Sequence, residues 1–149
     1  MANNDTPVME TREATDRISR GLLSWLNTWP GKQLPIAFED LPSDAPGMAL
    51  SAIQGAYIVK RYLRGRYEGQ YQYKILYRLQ PTSSNARLAA DEMLDALGDW
   101  ASAQSSRPSI GQNKTVKRIV CNTRAAMVAR YEDGSEDHQI LMTMEYHSA

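Results

Sequence analysis

In Gln70-Tyr-Gln-Tyr-Lys-Ile-Leu-Tyr-Arg-Leu-Gln80, Tyr71, Tyr73, Ile75, Tyr77 and Leu79 share one side of an extended chain, and Gln70, Gln72, Lys74, Leu76, Arg78 and Gln80 share the other. Successive strand residues point to opposite faces, so this period predicts a strand with one packed face and one turned to solvent or a neighbour. Upstream, Ala56 to Leu63 reads as a second strand, and Arg64-Gly-Arg-Tyr-Glu-Gly69 between them carries the glycines of a hairpin loop. Downstream, a Pro-Thr-Ser-Ser turn offers Ser83 or Ser84 as the cap of a helix whose Ala86, Ala90, Met93, Leu97 and Trp100 recur at helical spacing.

Working outward, Ile18, Leu22, Trp25 and Trp29 place a core-facing helix near the N-terminus, starting at Thr6-Pro7 or delayed to Thr11 or Thr15, and ended by Pro30-Gly31. Residues 1–10 are expected to be flexible. Residues 30–52 hold four of the seven prolines, with Leu34 to Phe38 as an edge strand between them. That stretch predicts an extended arm or loop that orders on assembly. Toward the C-terminus, Val116 to Cys121 and Ala125 to Tyr131 read as strand, Asp133-Gly134 as a two-residue hairpin turn, and Gln139 to Tyr146 as the returning strand, with Ile140, Met142, Met144 and Tyr146 on one face. The predicted register sets Arg130 opposite Asp137 and Met127 opposite Ile140. Together these elements predict an α+β fold, a mostly antiparallel sheet with two amphipathic helices on one face, as one domain over residues 1–149.

A chain of 149 residues with 42% apolar side chains can bury about 68–70% of its unfolded surface. No segment approaches the ~20 apolar residues of a membrane span, and Met1 to Glu10 lacks an apolar leader, which predicts a soluble protein made in the cytosol. Cys121 is the only cysteine, so an intrachain disulfide or a cysteine-based zinc site is excluded. Net charge is zero, but it is unevenly laid out: four basic and seven acidic residues over 1–53, six and one over 54–80, one and four over 81–105, six and none over 106–131, none and five over 132–149. Such blocks either neutralise one another within the fold or meet head-to-tail between subunits.

No catalytic set emerges. His138 beside Asp137 reads as a solvated strand residue, and Glu136, Asp137 and His138 cannot converge on one metal because neighbours on a strand face opposite ways. Asp91, Glu92 and Asp95 read as the wet side of a helix. A nucleophile, base and oxyanion donor cannot be nominated together, so the chain is not expected to be an enzyme or to hold a cofactor or metal. The hairpin, with its tyrosines and Lys60, Arg61, Arg64, Arg66, Lys74 and Arg78, has the residue types of a single-strand nucleic-acid binder and equally those of a protein interface.

The layout resembles the tail terminator proteins of long-tailed bacteriophages, also called minor capsid proteins. The resemblance rests on the helix ending at Trp29-Pro30, the proline-bearing segment leading to Met48-Ala-Leu50, the strand Tyr71 to Leu79, the helix Asn85 to Trp100, and the final strand ending Leu141-Met-Thr-Met-Glu-Tyr146. Neither the first ten residues nor the Arg64 to Arg66 loop matches the family pattern. The resemblance implies a virion subunit at the head-proximal end of the tail, assembled in the host cytoplasm. It would close into a homo-oligomeric ring of six that caps the tail tube, ends its polymerisation and joins the tail to a head-completion or connector protein. DNA would be met only in passing through the lumen, and no membrane is involved. Arg61, Arg64, Arg66, Lys74, Arg78, Asp91, Asp95 and Asp99 are then the candidate subunit-interface or lumen residues. Alternatives are a head-to-tail adaptor or stopper, or a nucleic-acid-binding module using the Tyr/Arg hairpin.

Overall fold

The structure is a computed structural model that describes residues 8–149. The elements run β1 (Val8–Met9), α1 (Arg12–Leu26), β2 (Ile36–Phe38), β3 (Gly47–Arg61), a 3-10 turn (Leu63–Gly65), β4 (Tyr67–Leu79), α2 (Ser84–Ala103), β5 (Lys114–Cys121), β6 (Ala126–Arg130) and β7 (Glu136–Ser148). The strands form one seven-stranded sheet in the order β1-β3-β4-β7-β5, with β2 also on β3 and β6 also on β7. All pairings are antiparallel except β2 with β3. The α+β expectation holds.

The period-two reading of β4 predicts the core directly. Tyr71, Tyr73 and Ile75 are buried beside Met144, Met142 and Ile140 of β7, and Leu22 and Leu26 of α1 and Leu94 and Leu97 of α2 close over that face. Ser19 Oγ lies 2.8 Å from the Tyr71 hydroxyl, and the Trp25 and Trp100 rings lie 4.6 Å apart, joining the helices to each other and to the sheet. Both helices are N-capped by a hydroxyl, Thr11 accepting from the Ala14 amide and Ser83 from the Ala86 amide, which satisfies a donor that the first turn leaves free. Thr6 and Pro7 lie outside the described residues, but Val8–Met9 is a strand, so the helix begins at the delayed start, after Thr11. The first helix stops at Leu26 rather than at Pro30, because Asn27 caps it: its side-chain amide donates to the Leu23 carbonyl, and its Oδ1 accepts from the Ile36 amide.

Three expectations need correction. The extended segment ends sooner than proline content suggested: Gly47 to Ala52 belongs to β3, and Met48, Ala49 and Leu50 are buried against β4 and β2. Within residues 1–10, Val8 and Met9 pair with Ile58 and Tyr57, and the Glu10 carboxylate accepts from the Tyr67 and Tyr146 hydroxyls at 2.9 and 2.6 Å. The last hairpin closes through three residues, not two: the Tyr131 amide donates to the Ser135 carbonyl, and Gly134 takes the left-handed φ of 90°. With a register shift at Val128, Arg130 faces Glu136, Ala129 faces Asp137 and Met127 faces His138.

Candidate assembly surface

The second face of the sheet carries Gln70, Gln72, Lys74, Leu76 and Arg78 of β4 beside Glu145, Thr143, Leu141, Gln139 and Asp137 of β7. Neither helix touches it, since both pack on the Tyr71 side. Half-buried amides, a lysine and scattered apolar groups leave a broad, mildly polar wall of the kind that tolerates either water or another protein.

One end of that wall is locked. Arg78 grips Asp137 with two prongs, Nε to Oδ1 at 2.8 Å and Nη2 to Oδ2 at 3.0 Å, while Nη1 donates to the Pro42 carbonyl at 3.0 Å and the guanidinium lies 4.9 Å above the Tyr131 ring. The Tyr131 hydroxyl donates to the same carboxylate at 2.7 Å. Burial alone would raise the Asp137 pKa, but bonds from Arg78 and Tyr131 outweigh it and hold the carboxyl below its ordinary range. Arg78 thus braces its own chain.

On the helix side, Glu136 gathers Arg87 Nε at 2.9 Å, Arg130 Nε at 3.0 Å and His138 Nε2 at 3.1 Å. His138 Nδ1 lies 2.7 Å from Asp91 Oδ1, so both ring nitrogens face carboxylates, and only a ring protonated at both can donate to both. His138 is 2% exposed, which corrects its reading as a solvated residue. Its ligand, Asp91, stands 47 residues away in the chain, so neighbours in sequence gave no warning of it. Asp137 does point to the opposite face from Glu136 and His138, as alternation demands. For Glu136 too, burial pulls the pKa up, and the bonds from His138, Arg87 and Arg130 bring it below the ordinary value.

These two carboxylates fix an acid limb of stability. Their folded pKa values lie below their unfolded ones, so the contribution is complete above the ordinary carboxylate range of about pH 4 and is lost as pH falls through the lower folded values. Urea midpoints are expected to drop between pH 6 and pH 3, and Asp137→Asn should shrink that drop. An unchanged acid limb in the variant would rule out this assignment.

The candidate contact residues therefore divide. Asp95 accepts from the Ala125 amide at 2.7 Å and fastens the loop before β6, while Asp99 meets Arg124 at 3.4 Å with both side chains exposed. Lys117 pairs with Glu68 and Arg118 with Glu145, so two of the three basic residues of β5 are answered within the fold. Asp91, Asp95 and Arg78 are likewise used internally. Among the described residues, no ion pair forms at Arg61, Arg64, Arg66 or Lys74. The three arginines gather at the β3–β4 tip, where the Tyr62 amide donates to the Arg66 carbonyl at 2.7 Å and Arg64 and Gly65 adopt φ of 64° and 78°. Lys60 sits 5.3 Å over the Tyr62 ring, and Leu63 is 82% exposed. The sequence marked the basic loop but not the apolar point it carries. It also missed Glu10, whose carboxylate pins the N-terminal strand to two tyrosines; Tyr146 is pushed well above its ordinary pKa by burial and then by Glu10.

Among the described residues, no helix is long and apolar enough to cross a membrane. No family model matches the chain, and no curated protein matches it. Among solved structures, a chain of the "Virion of native gene transfer agent (GTA) particle" aligns with a TM-score of 0.51 at 9% identity, covering 91% of this chain and 92% of that one. A second solved chain covers 93% of this one at 16% identity with a TM-score of 0.36, too low to carry an argument. At such identities the likeness to the virion chain is one of fold, and it extends over nearly the whole of both molecules.

Proposed function

We propose that this chain is a structural virion protein of a phage-like particle: a tail terminator that closes into a homo-oligomeric ring of six on the finished tail tube, stops its growth and presents a face to the head connector. The observation that carries the reading is the shared path with a gene transfer agent virion chain over 91% of the length. Supporting it, Asp137, Glu136, Asp91 and His138 are consumed in internal braces, while a sheet face and a basic tip stay open to partners. In this reading the protein sits at the head-proximal end of the tail, assembles in the host cytoplasm, and meets DNA only as it crosses the lumen. The alternative role is that of a head-to-tail adaptor or stopper in the connector.

Deleting the gene separates the two roles. Electron micrographs of the resulting particles are expected to show tails of unregulated, excessive length. Normal-length tails detached from filled heads would assign the chain to the connector instead, and particles of normal form would end the virion reading altogether.

A further inference from the structure

Two features of β3 complement each other and cannot meet within one molecule. The first is a groove of about 600 Å³ on the outer edge, bounded by Met9, Thr15, Phe38, Ala52 and Ile53. It exists because β2 pairs with β3 only at Met48 to Leu50 and β1 only at Tyr57 and Ile58, leaving the irregularity between Ala52 and Gly55 without a strand beside it. Met9, Phe38 and Ile53 are all exposed there. Its rim is acidic: Glu10, Asp16 and Glu39 line it, against Arg12 alone. Exposed apolar groups on an open sheet edge are a liability unless something covers them.

The second feature is the hairpin tip. Leu63 projects at 82% exposure between Tyr62 and the cationic Arg61, Arg64 and Arg66. An apolar point ringed by positive charge matches an apolar groove ringed by negative charge. DNA would answer the arginines but gives Leu63 no burial, so a protein partner is the better fit.

The tip cannot enter its own groove. The ladder with β4 continues from Gly55 to Arg61 across one irregularity between Ile58 and Lys60, and at about 3.3 Å per residue Leu63 stands up to about 25 Å beyond Gly55, at the far end of the hairpin. Point and groove therefore sit at separate places along one strand paired to β4, which is the arrangement of a heterologous, head-to-tail contact.

We infer that the partner of this groove is a second copy of the chain, whose Tyr62-Leu63-Arg64 tip seats Leu63 against Phe38 and Ile53 while its arginines face Asp16 and Glu39. The inference rests on the ring reading above and names the contact that would build it.

The test uses two full-length variants in a Cys121→Ala background, Leu63→Cys and Ile53→Cys, mixed in equal amounts with tail-tube ends under mild oxidation. A disulfide requires Cα atoms within about 7 Å, so a mixed disulfide between the two variants is expected, and a chain carrying both substitutions should give a covalent ladder of multimers. Leu63→Glu should weaken assembly about tenfold or more by mass photometry, with thermal unfolding unchanged because the Leu63 side chain is 82% exposed in its own subunit. Annular particles without a mixed disulfide would overturn the contact and leave the ring reading standing. Disulfides only between two Leu63→Cys chains would overturn it in favour of tip-to-tip pairing. Tight binding of duplex DNA that Leu63→Glu leaves intact, with assembly also intact, would make the tip a nucleic-acid contact instead. A protein that stays monomeric at tube ends would remove both readings.

Discussion

Gly21→Ala is expected to destabilise the protein by about 2–3 kcal/mol, although helix propensity alone predicts a gain of about 1 kcal/mol from the same change. Gly21 lies in the middle of α1, where alanine normally costs less chain entropy than glycine. The contact across the helix decides the sign. A Cβ at this position would stand 2.0 Å from the Ser109 carbonyl oxygen and 3.2 Å from Ile110 Cα. Both are backbone atoms, and Ile110 is anchored in the core at 1% exposure, so the loop cannot retreat without drawing a buried side chain outward. Relief must come from displacing α1, which carries Ile18, Leu22 and Leu26. A thermal midpoint lowered by about 5–10 °C is the expected reading for a chain of this size. A midpoint equal to or above that of the parent protein would show that the loop yields freely.

Glu136→Gln is the second large effect, a loss of about 2–3 kcal/mol at neutral pH. Breaking a buried ion pair typically costs about 3–5 kcal/mol, and the lower figure applies because two of the three partners have a way out. The side chains of Arg87 and Arg130 are 39% and 58% exposed and can turn to water, whereas that of His138, at 2%, cannot. The deficit should begin to shrink as pH falls below about 4, where the unfolded parent chain takes up a proton at Glu136, and close as pH passes through the lower folded value. Arg130→Ala, which leaves the carboxylate its other two donors, should cost under about 1 kcal/mol by urea denaturation. Equal stability of Glu136→Gln and parent at pH 7 would mean that the network is electrostatically idle.

How much of this was legible in the sequence depended on the range of the interaction. β4 and β7 could be read from alternation alone, because their burial pattern has a period of two and needs no knowledge of partners. Both helices could be read from their apolar stripes and hydroxyl caps. The register of the last hairpin could not: Asp133-Gly134 announces a turn, but whether two or three residues close it, and that the ladder slips at Val128, depends on Glu136 facing Arg130 and Arg87 together. The start of β3 was hidden by Pro42 and Pro46, which sit just outside it, while the Met48-Ala-Leu50 run inside it is continuous apolar sequence of the kind buried on both faces. For the contact residues, charge type was visible and charge use was not. Arg78 and Arg64 look alike in the sequence, yet one is clamped between β7 and the 39–46 loop and the other stands on an open turn.

The sheet is three long strands flanked by pairs of short ones: β1 and β2 share one margin along β3, and β5 and β6 share the other along β7. Each short strand touches only part of its long neighbour, so lengthening the connection between β5 and β6, or between α1 and β2, leaves every rung of the central ladder where it was. The expense of a longer surface loop rises only slowly with its length, about 0.6 kcal/mol per doubling. Lineages descending from such a plan are free to graft, trim or swap border pieces one at a time, altering what the protein docks with while inheriting the same spine.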